Sequence, residues 1–168
     1  MSDKTKKIFF ALTIVVPILL YCAYYYGMMI KNAPYRFSDF QYLRLEYGTG
    51  DTLKNKYNSK TGDYQYVTKN GAIKNMELHL NNDDLLYLHR KAADLGFWNF
   101  PEKEEGDGFG ADKQKAPKYL MEFVYKNKTK KVLFDASFAG DPELKDANLR
   151  LIKEIQMKLD EREEQSKK

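Results

Sequence analysis

The sequence is poor in cysteine, histidine, tryptophan and proline, with one, two, one and five of each among 168 residues. A single cysteine, Cys22, leaves no partner for an intrachain disulfide, so a folded domain here must rest on a hydrophobic core, for which about 125 residues suffice. Cys22 also lies inside an apolar run, and the rest of the chain has no thiol nucleophile. None of Ser38, Ser59 and Ser137 stands in a Gly-x-Ser-x-Gly elbow, so acyl transfer has no candidate residue. His79 and His89 have Glu77 and Asp83 nearby, but in no zinc spacing, and ordinary surface or half-buried histidines account for them. No catalytic, cofactor-binding or metal-ligating residue is assigned, and neither metal nor cofactor is expected.

An excess of charge of one sign is also missing. Lysine and arginine number 28 against 24 acids, a net of +4, and Lys4, Lys6 and Lys7 against Asp3 supply half of that excess. The nearly balanced remainder has no clustered basic field, so nucleic acid is not an expected partner.

What the chain does have is one uncharged run, Ile8 to Ile30, IFFALTIVVPILLYCAYYYGMMI. At about 1.5 Å per helical residue it reaches roughly 34 Å, a little more than the ~30 Å hydrocarbon layer of a bilayer. A core helix would show a polar stripe and a second apolar segment to pack against, and neither is present. A signal peptide needs small residues before its cut, yet cleavage after Ala23 or Ala33 would put Tyr21 or Lys31 three positions upstream. A lipoprotein signal at Cys22 is disfavoured by the bulky Tyr21 beside it. The run therefore reads as an uncleaved transmembrane anchor that meets the bilayer through residues 8–30. Tyr21, Tyr24, Tyr25 and Tyr26 gather at its C-terminal end, where amphipathic rings favour the headgroup region, and Pro17 predicts a kink in mid-run.

Lys4, Lys6 and Lys7 lie within four residues of the run on its leading side, against Lys31 alone on its other side, where Arg36 and Arg44 lie farther off. That asymmetry predicts a cytoplasmic head over residues 1–7 and a C-terminal domain outside the membrane, periplasmic if the cell has an inner and an outer membrane. Residues 31–39 read as a linker, 40–160 as the domain, and the charged tail 161–168 as a segment that frays.

Within the domain, Gln41, Leu43, Leu45 and Tyr47 alternate with Tyr42, Arg44 and Glu46, which predicts a first strand. Strands near Leu53–Tyr57, Tyr64–Thr68 and Ile73–Leu80 follow, joined by Lys60-Thr61-Gly62-Asp63 and by Asn70-Gly71, the latter suited to a type I′ turn. Asn81 or Asn82 caps a helix with Asp83 and Asp84 in its first turn and Leu85, Leu88, Ala92 and Leu95 at helical spacing, ended by Gly96. Phe97, Trp98 and Phe100 should lock that helix onto the sheet. A hairpin over Tyr119–Lys126 and Lys130–Asp135 precedes a last helix, capped by Asp141, opened by Pro142 and striped by Leu144, Leu151, Ile152, Ile155 and Leu159. Four strands in a meander, helix, hairpin and helix describe an α+β domain with two helices on an antiparallel sheet.

The segment 101–118, PEKEEGDGFGADKQKAPK, has no periodicity and reads as a loop. Its carboxylates fail the EF-hand register, and Gly106, Gly108 and Gly110 fail the dinucleotide spacing. Glu104, Glu105, Asp107 and Asp112 around Phe109 instead form a candidate contact for a protein partner. Asn127-Lys128-Thr129 matches a glycosylation acceptor, although a turn between strands already explains the asparagine.

The run from Leu80 through Pro101 with its Gly96-Phe97-Trp98 close, followed by Lys130-Lys131-Val132-Leu133-Phe134-Asp135 and a terminal helix, resembles uncharacterised membrane-anchored envelope domains common in Bacteroidota. The resemblance covers residues 40–160, rests on packing residues, and implies the same fold in an anchored setting. The expected function is that of a non-enzymatic envelope protein whose domain binds or scaffolds partner proteins. An immunity-type inhibitor of an extracytoplasmic enzyme, and a small-ligand receptor or enzyme with an unrecognised site, are the alternatives.

Overall fold

The computed structural model describes residues 3–31, 35–50, 52–106 and 116–167. The chain forms two compact units, residues 1–34 and 35–168. The first unit is one helix, α1 (Asp3–Lys31), which carries Pro17 within it. Proline has no N–H to offer the carbonyl of Thr13 one turn earlier. Thr13 itself turns its hydroxyl back to the Phe9 carbonyl at 2.6 Å. Over Asp3–Tyr26 the helix is long and apolar enough to cross a membrane, and none of its most apolar stretch is buried within the protein. A core helix would be covered by its own chain, so this exposure agrees with the absence of a second apolar segment.

The second unit begins at Tyr35. A 3-10 turn at Phe37–Asp39 leads into β1 (Phe40–Thr49), followed by β2 (Asn55–Asn58), β3 (Asp63–Val67), β4 (Ile73–Glu77) and α2 (Asn82–Asp94). A second 3-10 turn, Phe97–Asn99, then precedes β5 (Lys103–Glu104), β6 (Pro117–Tyr125), β7 (Thr129–Asp135) and α3 (Pro142–Ser166). Residues 35–39, assigned to the linker by composition, are packed: Tyr35 stacks on Trp98 at 4.4 Å and Phe37 on Phe40 at 5.5 Å.

The unit is α+β, and the seven strands among the described residues form one sheet in the order β4-β3-β2-β1-β6-β7-β5. Every neighbouring pair is antiparallel except β5 and β7, which run parallel with Lys103 opposite Leu133 and Glu104 opposite Phe134. The sheet is therefore mixed, where the sequence predicts a purely antiparallel one. Two residues are too few to display a period of two, which is why β5 hides in a stretch that reads as loop. β4 and β5 lie at opposite edges, so the chain between them, α2 with its following turn, must cross the whole sheet.

That crossing explains the aromatic cluster after Gly96. Gly96 adopts φ +75° and stops α2 in the left-handed conformation that a glycine accepts without a Cβ clash. Phe97 is fully buried, with its ring 5.2 Å from that of Phe123 on β6, and Trp98 meets the same ring edge-on at 5.4 Å. The cluster does lock the helix to the sheet. At the N-terminus of α2, the Asn81 side chain accepts a hydrogen bond from the Asp84 amide at 2.8 Å, and the Asp84 carboxylate accepts one from the Asn81 amide. This capping box satisfies two otherwise unpaired backbone donors.

Two local expectations are corrected. Asn70-Gly71 does not form a type I′ turn, because Gly71 alone has positive φ and no non-glycine residue among those described does. The Gly71 amide donates to the Thr68 carbonyl and the Thr68 amide to that of Ala72, so the loop is one residue longer, a turn closed by a left-handed glycine. The charged tail does not fray at Glu161 either. α3 continues to Ser166 because Glu163 accepts hydrogen bonds from Tyr66 at 3.0 Å and Lys74 at 3.3 Å, and pairs with Lys167 at 2.8 Å.

Both helices pack on one face of the sheet. Leu43 and Leu45 of β1, Met121 and Phe123 of β6 and Val132 and Phe134 of β7 are fully buried against Leu88 and Ala92 of α2 and Leu151, Ile155 and Leu159 of α3. Asp84 ties the two helices together through Arg162 at 2.6 Å, and the Tyr87 hydroxyl donates to Glu154 at 2.8 Å.

Candidate functional site

Strand alternation sends every second side chain away from this core. Arg44 and Glu46 of β1, Lys56 and Asn58 of β2, and Gln65 and Asn75 of β3 and β4 therefore share the other face, which no helix of this unit covers among the described residues. They line a shallow groove of about 570 Å³. Arg44 pairs with Glu122 of β6 at 3.3 Å, while the Gln65 amide donates to the Lys54 carbonyl at 2.7 Å. Both signs of charge and several amides are offered together, a lining that recognises by hydrogen bonds and ion pairs.

A second groove on this face, of similar volume, lies toward the β5 edge and is lined by Leu53, Leu120 and Leu133 together with Lys103 and Lys131. Leu120 and Leu133 are opposite one another in the β6–β7 ladder, which places two aliphatic side chains together on the open side. A polar half and an apolar half thus adjoin on one face of the sheet. Strand periodicity in the sequence contains the signal for it, since the residues between the buried ones are too mixed for a covered face and too apolar in places for a merely solvated one.

Of the residues expected to contact a partner, Asp107, Phe109 and Asp112 lie outside the described residues, and Glu105 is exposed. Glu104 is not available for contact. It points inward from β5, is 1% exposed, and accepts a hydrogen bond from the Asn148 side-chain amide on α3 at 2.7 Å. Among the described residues, the oxygens Glu104 Oε1 and Asn148 Oδ1 have no hydrogen-bond partner. Burial pushes the Glu104 carboxyl up to about 7, with the Asn148 hydrogen bond and the charge of Lys130 acting the other way. A protonated Glu104 brings a donor to this pair of acceptors. The sequence signal was Asn148, a polar residue at helical spacing between Leu144 and Leu151 on the apolar stripe of α3.

The histidines fall in two unlike places. His79 is exposed, its Nε2 2.8 Å from Glu77. His89 is buried, with Nδ1 2.8 Å from the Tyr125 hydroxyl, and burial lowers its pKa. Among the described residues no group of three histidine, cysteine or carboxylate side chains is placed to hold a metal ion. On α1, Tyr21, Tyr24, Tyr25 and Tyr26 are all more than half exposed, and Tyr21 stacks on Tyr25 one turn later at 6.3 Å. No family model matches the chain, and no curated protein matches it either.

Proposed function

We propose that this chain is a single-pass, membrane-anchored protein whose α+β domain binds a partner protein on the open face of its sheet. The residues 1–7 lie in the cytoplasm and the domain lies outside, in the setting of the Bacteroidota envelope domains that the sequence resembles. The observation that carries the reading is the sheet face that no helix of this unit covers among the described residues, on which a polar groove and an apolar groove adjoin while the opposite face is filled by two helices. An exposed face with aliphatic side chains inside a polar rim is the common form of a protein contact. The exposed apolar surface of α1 supports the anchoring, and its terminal tyrosines suit an interface.

The role is recognition rather than turnover: Arg44, Glu46, Lys56, Asn58, Gln65 and Asn75 present ion-pairing and hydrogen-bonding groups together on the open face. Photo-crosslinking from Gln65 and from Lys131 in the native membrane tests it. One or a few reproducible protein adducts from both positions are expected, and a strictly monomeric chain without a reproducible adduct from either rejects the reading. Protease added to intact cells, or to spheroplasts where an outer membrane exists, should digest the domain. Full protection of the domain would reverse the orientation.

A further inference from the structure

The segment that carries β5 is held to the domain by one side chain. From Pro101 through Glu105 only Glu104 is buried, while Pro101, Glu102, Lys103 and Glu105 are exposed, and the buried Phe100 and Gly106 fix the two ends. No apolar side chain between those ends is covered. Along the backbone, the Leu133 amide of β7 donates to the Glu102 carbonyl at 2.9 Å, and the parallel pairing comprises Lys103 with Leu133 and Glu104 with Phe134. Such a strap belongs to the least stable part of a fold, because few buried apolar contacts oppose its local opening.

That one buried side chain ends in a carboxyl group. Glu104 Oε2 accepts a hydrogen bond from the Asn148 amide at 2.7 Å, and the same nitrogen donates to the Leu144 carbonyl at 2.9 Å, so the Asn148 carbonyl oxygen is buried without a donor among the described residues. A protonated carboxyl brings a donor to this place, whereas an ionised one puts a buried negative charge beside a second acceptor. From α3 Glu104 meets the neutral Asn148; the charged groups around it are Glu102, Lys103 and Glu105 on its own segment and Lys130 and Asp135 on β7. The Lys130 ammonium donates to the Phe100 carbonyl and is shared between Glu102 and Glu104, and Asp135 is bound by the amide and hydroxyl of Ser137 at 2.8 and 2.6 Å. Burial outweighs the attraction of Lys130, and the carboxyl keeps its proton up to about pH 7.

We infer that residues 101–105 form a latch over the β7 edge, closed while Glu104 is protonated and released when it ionises. The freed carboxylate is hydrated in water, whereas in the closed strap it is a buried charge, so loss of the proton favours opening. With the carboxyl at about 7 when closed and at its ordinary 4.5 when open, the opening constant rises on the order of fiftyfold between pH 5 and pH 8 and levels off above. Release bares the edge amide of Leu133 and takes Glu102 and Lys103 away from the apolar groove that Leu120 and Leu133 line. The bearing of the latch on partner binding rests on the reading above, but its release does not.

Amide hydrogen exchange on the full chain in detergent micelles, read by NMR and corrected for the intrinsic rate at each pH, tests the latch. Leu133 reports its opening, and Val132, whose amide turns the other way toward β6 by strand alternation, reports the sheet behind it. The opening constant of Leu133 should exceed that of Val132 at least tenfold at pH 8, and should rise on the order of fiftyfold from pH 5 to pH 8. Glu104→Gln, with a permanent amide donor and no proton to lose, should hold Leu133 at its pH 5 level throughout. Coinciding constants at the two residues overturn the inference, since the edge then opens only with the whole sheet. A rise of less than about fivefold at Leu133 overturns it as well, and so does a rise that Glu104→Gln leaves unchanged. Crosslinking from Lys131 separates the two readings. A latch that opens with pH in a chain without any adduct rejects the partner reading alone, whereas adducts from a chain whose Leu133 constant is flat with pH reject the latch alone.

Discussion

The two faces of the sheet are made by the same strands and the same backbone hydrogen bonds, yet they have unlike chemistry. On β6, Met121, Phe123 and Tyr125 are buried, whereas Leu120, Glu122 and Val124 between them are only half-buried. On β1, Leu43 and Leu45 are fully enclosed, and Arg44 and Glu46 are not. Full burial of a large apolar side chain contributes about 1.5–3 kcal/mol. The covered face therefore carries the stability of the domain, and the open face can be specified by recognition instead.

The comparison breaks most visibly at neighbouring positions. Phe123→Ala should cost about 3–5 kcal/mol in a urea titration, because the cavity left under Phe97 and Trp98 cannot close. Glu122→Ala, one residue away, should cost no more than about 1 kcal/mol, since its pairing with Arg44 is partly solvated. Similar costs at the two positions would remove the distinction between the faces.

Glu104 is the polar intrusion on the covered side, and its effect depends on pH. Its folded pKa is raised from 4.5 to about 7, so between these values the unfolded chain releases a proton that the folded chain retains. The contribution of Glu104 to stability is greatest below pH 4.5, declines as pH rises toward about 7, and above that is lower by on the order of 3 kcal/mol. Glu104→Gln supplies a permanent donor to Asn148 and has no proton to lose. Thermal unfolding of this variant should lack that decline and give the higher midpoint at pH 8, and a variant with the parental pH profile would show that the decline comes from another group.

A smaller effect is expected where the cover is attached. Asn81→Ala removes one half of the capping box of α2 and should cost about 1 kcal/mol by chemical denaturation. The smallest belongs to the open face, where Gln65→Ala and Lys131→Ala should shift stability by no more than about 0.5 kcal/mol. The same two substitutions should weaken crosslinking to the partner, which separates recognition from folding on a single sheet.

Much of the fold is legible along the chain because its signals are local. Asn81, Gly96, Asp141 and Pro142 mark helix ends through bonds made within a few residues, and the alternation of β1 and β6 spans enough positions to be counted. β5 is not legible. Its two residues become a strand only because β7 presents a free edge to them, a partner about thirty positions away. The end of α3 is hidden for the same reason, since Glu163 finds Tyr66 and Lys74 nearly a hundred residues earlier. The sequence offers Glu104 as a contact because acidic residues in an aperiodic stretch ordinarily face water, and only the arrival of Asn148 from α3 gives this one an interior place.

The sequence by itself determined that the chain holds one uncharged run long enough to cross a bilayer, that no disulfide supports the domain, and that strands and helices, β5 excepted, follow in the order seen. These depend on composition, period and caps, which are properties of neighbouring residues. Tertiary structure decided which side of the sheet the helices cover, which side is left with two grooves, and which carboxyl group of an acidic stretch is drawn inside. A period of two names the residues that share a face, but it is the crossing of α2 from one sheet edge to the other, and the packing of α3 beside it, that chooses the face to be buried.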